Sequence, residues 1–174
     1  IIFCWRFIFA NSGNNSPYFN DPANWEQNGA PDADSNVMFN GTPSSSGYVL
    51  FNQNNYLNSL HVTGGAFEFE LGDTSLLLRG ASQALRVDPF DNDATATFKG
   101  PGTLSIVHPL ELTSGNFSFR DNLDFYVNSL TLGDTVKFNY AGSIIGNVRN
   151  DGATVLPSGY GIGNLEINGS FYNR

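Results

Sequence analysis

The stretch YLNSLHVTGGAFEFELGDTSLLLRG, residues 56–80, constrains the fold more than any other part of the chain. It reads as three short strands, Ser59–Val62, Phe67–Leu71 and Ser75–Arg79. They are broken at Gly64-Gly65 and Gly72-Asp73, where glycine admits the positive φ that tight turns require. In the middle strand Phe67, Phe69 and Leu71 alternate with Glu68 and Glu70. Such a period of two describes a strand with one buried and one wet face. The piece then recurs. Tyr56-Leu-Asn-Ser-Leu60-His-Val62 returns as Tyr126-Val-Asn-Ser-Leu130-Thr-Leu132, and Leu71-Gly-Asp-Thr74 returns as Leu132-Gly-Asp-Thr135. A weaker echo is Gly163-Asn-Leu165-Glu-Ile167-Asn-Gly169.

Further short strands are expected at Tyr48–Phe51, Ala84–Val87, Ala94–Lys99, Thr103–Val107, Leu110–Thr113, Asn116–Arg120, Asp124–Tyr126, Ser129–Leu132, Val136–Tyr140, Ser143–Val148, Ala153–Leu156 and Asn164–Ile167. Gly, Asp, Asn and Pro separate them, and no segment carries a helical period. The expectation is an all-β protein with almost no helix. Internal echoes favour a parallel β-helix (β-solenoid) with coils of a little over twenty residues, roughly the length a solenoid repeat takes. Leu104 is a candidate marker of one more coil, and stacked coils would let Asn58 and Asn128 share an amide ladder. A β-sandwich or jelly roll is the alternative.

The 174 residues suit one domain. Residues 1–10, IIFCWRFIFA, are expected to form an apolar N-terminal strand with Ile1, Phe3, Trp5, Phe7 and Phe9 on one face; a signal-peptide remnant, with Ala10 as the small residue before the cut, is the alternative, although Arg6 interrupts the apolar run. The run is too short to span a bilayer. Residues 11–47 are a turn-rich, cap-like segment in which Trp25 is expected to plug one end of the core. Residues 48–174 carry the strand repeats.

Charged residues make up 14% of the chain, against about 25% in ordinary domains. Twenty-two asparagines take their place, and Lys99 and Lys137 are the only lysines. A net charge of −8 argues against nucleic acid, which needs clustered Lys and Arg, and against an anionic membrane surface. Cys4 stands alone, so no internal disulfide forms.

Catalytic chemistry has no obvious seat. His61 and His108 lack partners at metal-ligand spacing, and no nucleophile elbow or phosphate loop is present. Glu68 and Glu70 share a strand face about 7 Å apart, a separation that a glycosidase pair could use, but the wet face of any strand produces such a pair. Oxygen-rich turns at Asp32 and Asp34, Asp91 and Asp93, and Asp121 and Asp124 are the candidate calcium ligands. Asx turns account for them equally well. Of four glycosylation sequons, those at Asn14 and Asn40 are followed by Pro17 and Pro43, which leaves Asn116 and Asn168 as the candidates.

Asn24-Trp25, Gly29-Ala-Pro31, Asp34 and Val37-Met-Phe39 together resemble the opening motif of secreted bacterial repeat proteins, the autotransporter-like and PEP-CTERM-type β-strand repeat proteins frequent in planctomycetes. Asn58-Ser-Leu60-His-Val62 matches the strand that follows in that family, and Trp5–Phe9 matches the one that precedes. The resemblance covers about residues 5–80. It implies a right-handed β-helix, export and a surface or extracellular role, with no shared catalytic residues. The chain ends at Arg174 without a visible sorting signal, so a fragment, a processed form or a self-sufficient subunit is expected.

The expected function is that of a non-catalytic extracellular structural protein at the cell surface, a subunit of a bacterial surface layer, fibre or adhesin-like assembly. Self-association would run through Phe3, Trp5, Phe7 and Phe9, with packing of that face on the chain's own core as the alternative. A carbohydrate-binding module using exposed rings, or a fragment of a polysaccharide-active β-helix enzyme, is the alternative. No cofactor other than calcium is expected, and neither nucleic acid nor membrane insertion.

Overall fold

The computed structural model describes residues 6–8, 16–26, 29–40, 46–88, 94–157 and 165–174. Strand β1 (Arg6–Ile8) precedes the first full coil, which is β2 (Asn36–Asn40), β3 (Ser46–Leu50) and β4 (Asn55–Leu57). The second coil is β5 (Ser59–Gly64), β6 (Ala66–Glu70) and β7 (Ser75–Leu78), and the third is β8 (Leu85–Val87), β9 (Thr95–Lys99) and β10 (Thr103–Ile106). Later strands run around corners: β11 (Leu110–Arg120), β12 (Asp124–Tyr140) and β13 (Gly142–Asn150) each serve more than one face. The last described strands are β14 (Thr154–Pro157), β15 (Leu165–Asn168) and β16 (Phe171–Asn173).

Every strand pairing among the described residues is parallel. The chain is a β-solenoid of about six turns. Sandwiches and jelly rolls are antiparallel, so that alternative falls. Many side-chain hydrogen bonds between successive coils join residues 21 to 23 apart, as in Ser75–Asn54, Asn58–Asn36 and Asn150–Asn173, and others span up to 27, as in His61–Asp88 and Ser114–Val87. Register partners are 20 residues apart at Leu110 and Leu130 but 29 at Ala66 and Thr95, so several coils have the expected length and the one through β8 and β9 is longer.

Three faces result. The first carries β1, β2, β5 and β8 and is continued by a second ladder through Leu110, Leu130, Val148 and Phe171. The second carries β3, β6 and β9 with the C-terminal parts of β11 and β12, then β14. The third carries β4, β7 and β10, the starts of β12 and β13, and β15. Period-two sequence becomes inside and outside: burial alternates residue by residue along β5, β6, β7, β9 and β10.

Parallel in-register stacking sets equivalent side chains above one another. On the second face Val49, Phe69, Phe98, Phe119 and Tyr140 form one inward column, and Phe67, Ala96, Phe117 and Phe138 another. Ring centroids lie 5.0 Å apart for Phe69–Phe98, 5.5 Å for Phe98–Phe119 and 5.4 Å for Phe119–Tyr140. Phe125 of the third face stacks on Phe119 at 5.0 Å. Burying each ring contributes about 1.5–3 kcal/mol, and each favourable ring pair about 0.5–1.5 kcal/mol more. The Tyr140 hydroxyl lies 2.7 Å from the Ser143 carbonyl oxygen and 3.1 Å from that of Leu123, so this phenol is hydrogen-bonded inside the core. Burial pushes its ionisation far above the ordinary tyrosine range.

Trp25 does plug one end. It is buried, sets its ring edge-on to Phe19 at 5.1 Å and packs on Phe39 at 5.8 Å, and its indole N–H donates to the Phe19 carbonyl. Asn24, also buried, donates to the carbonyls of Ser16 and Tyr18. Asp21 caps the 3-10 turn at Pro22–Asn24. The Ala23 backbone N–H, foremost, holds its carboxyl below the usual range. Residues 11–47 are nonetheless more than a cap, because β2 is a full coil strand between β1 and β5.

Two of the sequence echoes fall out of register. Leu60 and Leu130 are both buried on the first face, Leu60 paired with Leu85 and Leu130 with Leu110 and Val148, but among the described residues no ladder runs from Leu85 to Leu110 to put them in one column. Leu71-Gly-Asp-Thr74, however, turns between the second and third faces, whereas Leu132-Gly-Asp-Thr135 turns between the first and second. Leu165 and Leu104 lie on the third face. Gly and Asp suit any corner, so the recurring letters do not mark recurring places. Asn58 likewise donates to the Asn36 side-chain oxygen at 2.6 Å in the preceding coil; Asn128 is three coils away. Strands expected to be separate at Leu110–Thr113 and Asn116–Arg120 are one, because a register shift between Leu112 and Ser114 bends β11 without ending its ladder.

Candidate functional site

The densest cluster of charge lies on the outer side of the second face. Register places Glu70, Lys99 and Arg120 in one outward column and Tyr48 and Glu68 in the next. Lys99 Nζ pairs with Glu68 and, at 3.2 Å, with Glu70. Arg120 reaches past the intervening coil to Glu68 at 2.5 Å. The Tyr48 hydroxyl donates to Glu70 at 2.7 Å, and Lys99 sits 5.2 Å from the centre of the Tyr48 ring. Four successive coils are thereby tied together.

These partners set the electrostatics around the carboxylate pair. The Tyr48 hydroxyl, then Lys99, holds the Glu70 carboxyl below its ordinary range. Glu68, foremost, raises the Lys99 ammonium, and the hydrogen bond to Glu70 raises the Tyr48 phenol. A general acid for glycoside cleavage needs a raised carboxyl. Glu70 moves the other way, and Glu68 faces two cations. The arrangement is an electrostatic clasp along the coil axis.

A smaller pair closes on the first face, where His61 Nε2 lies 3.1 Å from Asp88 and Arg86 lies 2.8 Å from the other carboxylate oxygen. His61 and Arg86 are register partners in adjacent coils. His108 is exposed.

The calcium candidates are dispersed. The Asp32 carboxylate accepts from the Asp34 N–H at 3.2 Å and the Ser35 hydroxyl at 2.7 Å, an Asx turn closed on itself. Asp121 and Asn122 form a corner with φ of 62° and 63°, and Asp124 stands beyond it on the third face. Asp91 and Asp93 lie outside the described residues. Among the described residues no group of three or more His, Cys, Asp or Glu is placed to hold a metal ion.

Asn116 is half-buried and donates to the Ala94 carbonyl at 3.3 Å, while Asn168 is exposed in β15. Of the assembly residues, Phe3, Trp5 and Phe9 lie outside the described residues. Phe7 belongs to β1, whose backbone pairs Phe7 with Val37. No described helix is long and apolar enough to cross a membrane.

Sequence reading found Glu68 and Glu70 but missed Tyr48, Lys99 and Arg120, which lie 20 to 52 positions away and meet them only through register. A coil length of a little over twenty would not have found them, because Glu70 and Lys99 are 29 positions apart. It also missed the opposite end of the stack. In the last coils Val155, Ile167 and Phe171 hold inward positions, paired with Phe138, Ile144 and Val148. Yet Val155 and Ile167 are only partly buried and Phe171 is 53% exposed.

No protein-family model, no curated protein and no solved structure matches the chain.

Proposed function

We propose that this chain is a non-catalytic structural module of an extracellular assembly, a surface layer, fibre or adhesin-like stalk, in which solenoids stack end on end. The observation that carries the reading is the exposed inward column of the last coils. Phe171 points where a core side chain points, and half of its surface is open. The complement of such a surface is another coil, whose parallel strand would continue the ladder of β16 and cover the ring. In this reading a neighbouring subunit supplies that coil through its β1 edge and the apolar residues Phe3, Trp5, Phe7 and Phe9. The contact is heterologous, so it propagates as a filament. Resemblance to secreted repeat proteins over residues 5–80 supports export, and the clasp of Glu68, Glu70, Lys99 and Arg120 supports a scaffolding use of the surface charges.

Sedimentation velocity on the full chain over a hundredfold concentration range tests the proposal. The unmodified protein is expected to form species larger than a monomer as concentration rises. Phe171→Glu is expected to remain monomeric and folded, because the ring it replaces contributes little to its own core. A monomer at every concentration, or undiminished association of Phe171→Glu, would contradict the reading.

A further inference from the structure

The outward column of the third face has a different character from the other two. Tyr56, Leu77, Ser105, Tyr126, Ile145 and Asn168 stand above one another in register. The two tyrosines are 50% and 42% exposed, and Leu77, Ser105 and Ile145 between and beyond them are half-buried. Three strand steps separate the rings, about 14 Å. Two aromatic walls thus bound a shallow trough that runs along the solenoid axis. Beside it lies a second outward column of Ser75, Thr103, Asp124, Ser143 and Glu166. Neither column contains a Lys or Arg, and exposed Arg79, one outward position past Leu77, is the cation at their edge, whereas the first face carries Arg86 and Arg149 and the second Lys99, Arg120 and Lys137.

We infer that this face binds a neutral polysaccharide, laid along the axis with sugar rings stacked on Tyr56 and Tyr126. Each feature of the face selects for that chemistry. A tyrosine ring presents a negative π-face to the polarised C–H bonds on the flat side of a sugar. Hydroxyls of Ser75, Thr103, Ser143 and Ser105 exchange hydrogen bonds with sugar hydroxyls, and the Asp124 and Glu166 carboxylates accept them. Two carboxylates with no cation in either column, on a chain of net charge −8, repel an anionic polymer. The rigid ladder fixes the spacing between the rings, which suits an extended, repeating ligand. The inference goes beyond the structural role proposed above: it concerns the side of the solenoid, not its end.

Native gel electrophoresis of the full chain in gels containing neutral polymers (cellulosic and mixed-linkage β-glucan, xylan, mannan) or anionic ones (alginate, polygalacturonate) tests it. At least one neutral polymer is expected to retard the protein and neither anionic one to do so. Tyr56→Ala and Tyr126→Ala should each weaken retardation about tenfold, and Tyr126→Phe, which keeps the ring, should preserve it. Ser105→Arg fills the trough without touching either tyrosine and should also abolish binding. Circular dichroism of all variants should match that of the unmodified chain, since every change is on the outer side. The inference is overturned if no neutral polymer retards the protein, if the alanine and arginine variants are retarded as strongly as the parent, or if their only effect is on sedimentation, which would make the face a contact between copies of the chain.

Discussion

Replacing Phe119 by alanine removes the ring at the centre of the core. Phe119 is 1% exposed and meets Phe98 at 5.5 Å, Phe125 at 5.0 Å, Phe138 at 5.2 Å and Tyr140 at 5.4 Å. Truncating a buried phenylalanine costs about 3–5 kcal/mol. Four ring contacts and a parallel ladder that cannot collapse into the void put this site at the upper end, about 4–5 kcal/mol. Against a typical stability of about 5–15 kcal/mol, that is a large fraction. A solenoid holds together through neighbour-to-neighbour interfaces, so the loss should fall on the interfaces of the fourth coil and not spread evenly. The chain offers a convenient reporter, because both tryptophans, Trp5 and Trp25, lie at its N-terminal end. Urea unfolding followed by far-UV circular dichroism and by tryptophan fluorescence should give superimposable curves for the parent. In Phe119→Ala the circular dichroism midpoint should fall below the fluorescence midpoint, as the later coils unfold first. Phe119→Leu, which refills most of the volume, should lose less than half as much and keep the curves together. A loss below about 1.5 kcal/mol, or two curves that shift together, would refute the reasoning.

Gly146 has φ of 148°, and a Cβ there would lie inside the contact distance of the Val127 carbonyl oxygen in the coil below, so Gly146→Ala should lower stability by about 2–4 kcal/mol. Gly72, with φ of 55° and open space around it, should lose only about 1 kcal/mol on the same change; thermal melts of both variants check the contrast. The pH dependence follows from Glu70, whose folded carboxyl lies below its ordinary value of 4.5. A depressed carboxyl stabilises the fold above the unfolded value, and that contribution disappears as pH falls through the depressed one. Melting temperature measured from pH 7 down to pH 2.5 should therefore fall more steeply below pH 4.5 in the parent than in Glu70→Gln.

What was legible in the sequence was local. Phe67, Phe69 and Leu71 declare an inward face by alternation alone, and Trp25 declares a plug by being a large ring among turns. What was hidden depends on register. The corners differ in length, from Gly65 alone between β5 and β6 to the bend through Leu112 and Ser114 inside β11. No fixed period therefore survives to align Glu70 with Lys99 and Arg120, or Tyr56 with Tyr126. Short strands such as Asn55–Leu57 and Phe171–Asn173 were unreadable for another reason: three residues show no alternation, and only the coil beneath makes them strands. The paired carboxylates show the cost of lacking register. Glu68 and Glu70 resemble an isolated pair in one dimension, and in three they are bound to Lys99, Arg120 and Tyr48.

Negative-stain electron microscopy of the full chain at high concentration tests end-on stacking most directly. The account predicts unbranched filaments one solenoid wide, with an axial repeat of about 30 Å from about six coils at roughly 4.8 Å each, and their loss in Phe171→Glu. Separate compact particles under all conditions, or filaments that persist unchanged in that variant, would contradict it.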